Sequence, residues 1–458
     1  MNRVTNRTWL MALFILVLVG GMLFFLGDYW MHADQWIASP GSPHVYNNTN
    51  LGCGTVVDRS GNVLLDIGTE RSYSENTTTR KSTLHWLGDR KGFISAAAVS
   101  HYAGSMVGFD RINGIYDSGT EGGVAELTLS VNAQNTAYEA MNGRKGTVAV
   151  YNYKTGQILC AVSTPTFDPD NVPDIEGDTS GAWEGVYLNR FTQSSYIPGS
   201  IFKVVTTAAA LDSVDGILDM TFKCTGLYEY GIDKVTCERA HGKLTLKEAL
   251  ARSCNCSFAQ IAALVGADNM EKYVDQFGVV KPLKFDGVTT AAGNYDLSRA
   301  AAVEVAWSAI GQYTNQINPC RYMSFMGAIA DGGKAAQPHL VSHVTAEGEI
   351  TYEAETVMSD RIMSTEVAEK LQSYLRNNVV SVYGAERFPD MAVCGKSGTS
   401  QLGGDQEPNS MFAGFVLDEK YPLAFIAVVE NGGYGSSTCV PILNKVLAAC
   451  KEVLDGNG

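Results

Sequence analysis

A serine and a lysine three residues apart stand in the run Tyr196-Ile197-Pro198-Gly199-Ser200-Ile201-Phe202-Lys203. At that spacing both side chains share one face of a helix. Pro198-Gly199 suits the start of such a helix, and Val204, Val205 and Ala208 to Leu211 continue it with an apolar face. A serine at a helix start lies where unpaired N–H groups and the positive end of the dipole favour developing negative charge. A lysine one turn later takes the serine proton if desolvation or a second cation keeps it neutral. The pair is a design for an activated nucleophile that does without histidine. Alone it is a common spacing, and a solvated lysine on an amphipathic helix would produce it as well.

Two further motifs follow. Ser253-Cys254-Asn255 lies in Ala251-Arg252-Ser253-Cys254-Asn255-Cys256, and Lys396-Ser397-Gly398-Thr399 lies in Cys394-Gly395-Lys396-Ser397-Gly398-Thr399-Ser400. Ser-x-x-Lys, Ser-x-Asn and Lys-Ser-Gly in this order are similar to the triple shared by penicillin-binding proteins and class A β-lactamases. Taken singly, Lys396 could be a surface residue, Ser253 a helix cap and Asn255 a turn residue.

The elements that must hold these residues can be read from pattern. Residues 146–153 and 157–163 are strands joined at Lys154-Thr155-Gly156. Residues 394–401, 411–416 and 423–429 are three more strands, with a turn at Gly403-Gly404-Asp405, and 438–453 is a closing amphipathic helix. Helices are also expected over 133–141, from Leu246 into Ser253, and over 364–380. Strands at both ends with helices between imply an α+β unit whose sheet is antiparallel and pairs its N- and C-terminal pieces. Upstream, 54–65 reads as strand, turn and strand, 70–82 as a polar Thr-rich loop, 85–100 as weakly helical and 127–131 as a short strand. Residues 101–125 suggest no element, and the stretch up to Gly242 is mostly polar, with turn and strand character between Cys224 and Cys237.

At 458 residues, with 45% apolar and 18% charged residues, the chain is long enough for two folded units beyond an anchor. A net charge of −14 with no basic stripe excludes nucleic acid as a partner. Residues 9–26 carry no charge and are long enough to span a bilayer; Arg3 and Arg7 precede them and Asp28 follows. That asymmetry places the N-terminus in the cytoplasm and the rest outside the cell membrane, and the run is long for a cleaved signal. Ten cysteines in an exported chain invite disulfides, with Cys224 and Cys237 as the first pair expected. No cysteine spacing suggests zinc and the seven histidines suggest no ligand cluster, so neither metal nor cofactor is expected.

The chain resembles the class B penicillin-binding proteins, the bacterial cell-wall D,D-transpeptidases. The likeness includes Gly54-Thr55-Val56-Val57-Asp58-Arg59-Ser60-Gly61, Leu127 to Gln134, Asn189-Arg190-Phe191, Ile310-Gly311-Gln312 and nearly all of 146–454. It implies the penicillin-recognising serine transpeptidase fold, an antiparallel sheet flanked by helices with a mostly helical subdomain. It divides the chain into a cytoplasmic tail (1–8), a transmembrane anchor (9–30), a membrane-proximal pedestal-like domain (31–140) and a transpeptidase domain (141–458). It implies that Ser200 attacks the carbonyl between the terminal D-alanines of a peptidoglycan stem peptide, with Lys203 as base. Ser253 would relay the proton to the leaving D-alanine, and Asn255 would hold Lys203 and the substrate amide. Lys396, Ser397, Gly398 and Thr399 would bind the substrate, the N–H groups of Ser200 and Thr399 forming the oxyanion hole. Implied partners are stem peptides and lipid-linked precursors, a membrane glycan-polymerising glycosyltransferase, and β-lactams as covalent inhibitors. A D,D-carboxypeptidase and a catalytically silent β-lactam-binding scaffold remain as alternatives. A β-lactamase would need a water-activating Glu-x-x-Leu-Asn segment that is not evident between Asn255 and Lys396.

Overall fold

A computed structural model describes residues 2–37, 46–47, 50–51, 54–67, 71–106, 122–346, 348–401, 403 and 406–456. Its centre is a five-stranded antiparallel sheet in the order Val393–Ser400, Asn409–Val416, Leu423–Val429, Gly146–Asn152, Ile158–Thr164. Strand Leu423–Val429 pairs with Gly146–Asn152, so the two ends of the unit meet in mid-sheet as the pattern predicts. All of Asn409–Val416, Leu423–Val429 and both N-terminal strands are buried at every residue. Both faces are therefore covered, which explains runs of apolar residues without alternation. Helices Val131–Met141 and Gly435–Leu454 cover one face, their buried side chains forming one core with Val148, Val150, Phe412 and Phe425. Helices Lys203–Ser213 and Pro319–Ala330 lie in the core on the other face with Ala149, Tyr151, Ala413 and Ile426.

A second sheet of six strands runs Glu349–Glu353, Val341–Ala346, Val124–Leu127, Gly54–Val57, Val63–Ile67, Arg71–Tyr73, with only the Gly54–Val57 and Val124–Leu127 pair parallel. It draws strands from both sides of residue 140. Asp58 shows why the opening motif matters: its carboxylate accepts from the N–H groups of Ser60, Asn62 and Val131. One side chain thus closes the Ser60-Gly61 turn and ties it to the start of helix Val131–Met141. Buried Gln134 then bridges that helix to Ser82 and to both backbone groups of Ala161.

The Thr-rich stretch expected as a loop is instead strand Arg71–Tyr73 followed by helix Thr77–Leu87. Threonine is a weak helix former, but here Asn76 caps the N–H groups of Thr78 and Thr79, and Thr83 and Ser82 bond back to Thr79 O. The polar stretch before Gly242 is also ordered, as two small hairpins, Leu227–Tyr230 with Asp233–Thr236 and Phe222–Cys224 with Gly242–Leu244. Between 85 and 100 the helix stops at Leu87 and a short one resumes at Ala97–Ser100, and the strand expected at 127–131 is Val124–Leu127. Gly404 and Asp405 of the expected turn, and most of 101–125, lie outside the described residues.

Helix Asn2–Ile37 contains a stretch, Val4–Ala33, that is long and apolar enough to cross a membrane. None of its most apolar span is buried against the protein. The surface it leaves apolar suits lipid.

Candidate active site

The three motifs, far apart in the chain, converge at the edge of the central sheet. The Ser200 segment is a short 3-10 turn, Gly199–Phe202, that runs into helix Lys203–Ser213, so Ser200 sits one turn ahead of the α-helix proper. Gly199 is held at φ +53°, and a Cβ there would come within 2.5 Å of Thr399 O. Only glycine lets this turn lie against the Lys396 strand. Gly398 meets the turn from the strand side, where a Cβ would fall 2.8 Å from Pro198 O. The two glycines allow a backbone-to-backbone approach that brings Ser200 beside Thr399.

Lys203 is fully buried, its Nζ 5.6 Å from the Phe258 ring centre. Four oxygens lie within hydrogen-bond distance of Nζ: Ser200 Oγ at 2.9 Å, Ser253 O at 2.8 Å, Ser253 Oγ at 3.1 Å and Asn255 Oδ1 at 2.7 Å. An ammonium has three protons to give and a neutral amine two, plus a lone pair. The crowding therefore leaves room for Ser200 Oγ–H to donate to a neutral Nζ. Burial pulls the Lys203 pKa well below the usual lysine range, and the charge of Lys396 pulls it in the same direction. Burial and a neighbouring cation, with no partner acid, favour the neutral amine at this position.

Ser253 adopts φ +54°, unusual for a serine, at the junction of helices Leu246–Ala251 and Asn255–Val265. This kink turns its Oγ between the two lysines, 3.1 Å from each Nζ. Strain of this kind is held only where surrounding packing fixes it. Asn255, at the start of the next helix, accepts from Lys203 through Oδ1 and donates through Nδ2 to Thr236 O at 2.9 Å. The amide is fixed at both ends and its orientation follows.

Lys396 is also fully buried, and burial lowers its pKa to about 7. Its Nζ donates to Ser253 Oγ and to Ser397 O at 2.9 Å, with Tyr383 OH at 3.4 Å. Strand Val393–Ser400 is the edge of its sheet, so one side of its backbone faces the cleft. The cleft has a volume of about 430 Å³ and is lined by Ser200, Ser253, Asn255, Ser397 and Thr399, with Trp307 and Tyr434 as aromatic walls. All eight residues singled out from sequence belong to this one assembly.

Tyr383 was not legible in advance. It ends the π-helical turn Val379–Tyr383 that continues helix Thr365–Asn378, is buried, and places its hydroxyl 2.9 Å from Ser397 Oγ while accepting from Ser397 N at 3.0 Å. It has no motif around it; only the shift from α to π turn, which rotates Tyr383 inward, marks it.

The cysteine expectation is corrected. All nine described cysteines are free, and Cys53 lies outside the described residues. Cys224 and Cys237 do approach each other, but as members of a cluster with His241 and Cys254 whose ligand atoms all fall within 4.8 Å. The expected disulfide does not hold, and His241 joins a group of three cysteines that spacing did not suggest, because the two small hairpins fold these residues together.

The sequence model of the penicillin binding protein transpeptidase domain matches residues 146–448. The peptidoglycan D,D-transpeptidase PbpA of Mycolicibacterium smegmatis is 28% identical over 360 residues, covering 72% of each chain. Stage V sporulation protein D of Bacillus subtilis is 25% identical over 411 residues, 83% of this chain and 59% of that one. Among solved structures, the D,D-transpeptidase domain of a peptidoglycan glycosyltransferase from Eggerthella lenta superposes with a TM-score of 0.75 at 28% identity, covering 88% of this chain and 98% of that one. The penicillin G acyl-enzyme complex of penicillin-binding protein A from M. tuberculosis shares the fold, with a TM-score of 0.73 at 23% identity over 87% of this chain and 99% of that one.

Proposed function

Because this chain belongs to the class B penicillin-binding proteins, serine-type peptidoglycan D,D-transpeptidases, we propose that Ser200 is its nucleophile and Lys203 its base. The observation that carries the assignment is the buried Lys203 Nζ, within hydrogen-bond distance of Ser200 Oγ, Ser253 Oγ and Asn255 Oδ1. Ser200 Oγ attacks the carbonyl carbon between two terminal D-alanines of a stem peptide as its proton passes to Lys203. The N–H groups of Ser200 and Thr399 receive the oxyanion, a contribution of about 3 kcal/mol per donor in such sites. Collapse breaks the C–N bond, and Ser253, between the two lysines, passes a proton to the departing D-alanine. Lys396, Ser397 and Thr399 hold the terminal carboxylate. Gly398 keeps the strand bare so that an extended peptide can pair with the free sheet edge. An amine from a neighbouring stem peptide then takes the acyl group, and β-lactams acylate Ser200 in place of the stem peptide.

The chain is membrane-anchored through its N-terminal apolar helix. In the proposed arrangement residues 1–8 are cytoplasmic, 9–30 cross the membrane, 31–140 form a membrane-proximal domain and 141–458 the transpeptidase domain outside. There it works on nascent strands from lipid-linked precursors beside a glycan-polymerising glycosyltransferase. The test is the full chain in detergent with such strands bearing pentapeptide stems. Cross-linked dimers with one D-alanine released per link are expected. D-alanine release with tetrapeptide monomers alone would replace the reading by a carboxypeptidase, and no release would overturn it.

A further inference from the structure

Beside the cleft, four residues from three segments bring their ligand atoms to one point. Cys224 ends strand Phe222–Cys224, Cys237 follows strand Asp233–Thr236, His241 precedes strand Gly242–Leu244, and Cys254 caps helix Asn255–Val265. All four ligand atoms lie within 4.8 Å of one another. We infer that Cys224, Cys237, His241 and Cys254 form a structural tetrahedral site for a zinc-type divalent cation that fixes one wall of the active-site cleft.

Two distances support a tetrahedron. With Zn–S of about 2.3 Å, two thiolates on one zinc stand about 3.7–3.8 Å apart, and a thiolate and an imidazole nitrogen about 3.6 Å. Cys237 Sγ and Cys254 Sγ are 3.7 Å apart, and Cys224 Sγ and His241 Nδ1 are 3.5 Å apart. These are opposite edges of the figure, so together they account for all four corners. A disulfide could join only two of the three thiols and would leave the third, with His241, without a role.

The surroundings also suit thiolates. Cys256 N–H lies 3.3 Å from Cys237 Sγ; Ser257 N–H and Ser257 Oγ lie 3.4 and 3.1 Å from Cys254 Sγ. Donors of this kind orient and stabilise metal-bound sulfur. Three soft sulfurs with one imidazole select zinc over magnesium or calcium. Four protein ligands leave no open position, which makes the site structural rather than catalytic.

Its position gives the site a consequence for the neighbouring motif. Cys254 lies between Ser253 and Asn255, and Asn255 Nδ2 donates to Thr236 O next to Cys237. Thr236, Cys237, Glu238 and His241 line the cleft. An ion holding Cys237 to Cys254 would therefore lock the hairpin wall onto the segment that aims Ser253 and Asn255 at Lys203.

The experiment uses the full chain purified in detergent without chelator. Mass spectrometric metal analysis should find about one zinc per chain. Exchange with cobalt should give intense thiolate-to-cobalt charge-transfer bands with the visible bands of a tetrahedral S₃N centre, a readout independent of activity. His241→Ala and Cys224→Ser should lose both, and Cys439→Ala, in a separate core, should keep them. Chelation should slow acylation by benzylpenicillin at least tenfold, with recovery on adding zinc. This last readout alone rests on the proposed function. Metal-free protein in which the three site thiols titrate freely and no cobalt bands form, or a Cys237–Cys254 disulfide found by peptide mapping, would overturn the site. Bound zinc whose removal leaves acylation unchanged would overturn its hold on the cleft wall.

Discussion

Replacing Tyr383 by phenylalanine removes one oxygen and nothing else. That oxygen accepts from Ser397 N at 3.0 Å, lies 2.9 Å from Ser397 Oγ, and stands 3.4 Å from Lys396 Nζ. The three losses differ in weight. Ser397 Oγ faces the cleft and can turn to water, so its loss costs little. The 3.4 Å contact is long, and Lys396 keeps Ser253 Oγ and Ser397 O as acceptors. The Ser397 N–H has no such recourse, and leaving it unpaired beside a buried ring costs about 1–3 kcal/mol. Tyr383→Phe should therefore lower unfolding free energy by about 1–3 kcal/mol, read from urea denaturation of the full chain in detergent. The loosened segment carries the proposed carboxylate-binding residues. Stopped-flow acylation by a chromogenic cephalosporin should then show weaker pre-covalent binding, about tenfold for about 1.4 kcal/mol, with a nearly unchanged limiting rate. Unchanged stability and unchanged acylation would refute the reasoning, as would a loss confined to the limiting rate.

Lys396→Met should stabilise the fold at pH 7 while abolishing acylation. In the folded chain the Lys396 pKa falls to about 7, whereas an unfolded lysine titrates near 10.4. Between those values the unfolded chain binds more protons, so native stability rises with pH; denaturation series from pH 6 to 10 should show that slope weaken in the variant. Arg190 is buried, pairs with Glu430 Oε1 at 2.8 Å, and donates to the carbonyls of Glu184 and Gly185; Tyr196 OH donates to the same carboxylate at 2.9 Å. Arg190→Ala strands that carboxylate, so denaturation should show a loss of about 3–5 kcal/mol.

The Ser200–Lys203 motif, its helix and the Lys396 strand were legible because each is local. Ser200 and Lys203 are one turn apart, and Val393–Ser400 carries its own strand composition. The antiparallel sheet followed from apolar runs at both ends of the unit. Helix Thr77–Leu87 was hidden because its stability comes from Asn76 capping and from burial of Thr79, Ser82 and Thr83, which composition does not register. Tyr383 and the Cys–His cluster were hidden for another reason. Tyr383 meets Ser397 only through tertiary packing, and Cys224 reaches His241 and Cys254 only once two short, polar hairpins have formed. Ser253 is intermediate: its motif was evident, but the left-handed kink that turns it between two lysines was not.

The most direct measurement is the intact mass of the full chain after incubation with benzylpenicillin, followed over hours and compared with Ser200→Ala. One adduct per native chain that persists for hours, mapping to Ser200 and absent from a folded Ser200→Ala variant, is the predicted result. An adduct that forms equally on Ser200→Ala, or one released from the native chain within minutes, would contradict the assignment of Ser200 as the acylated nucleophile of a transpeptidase.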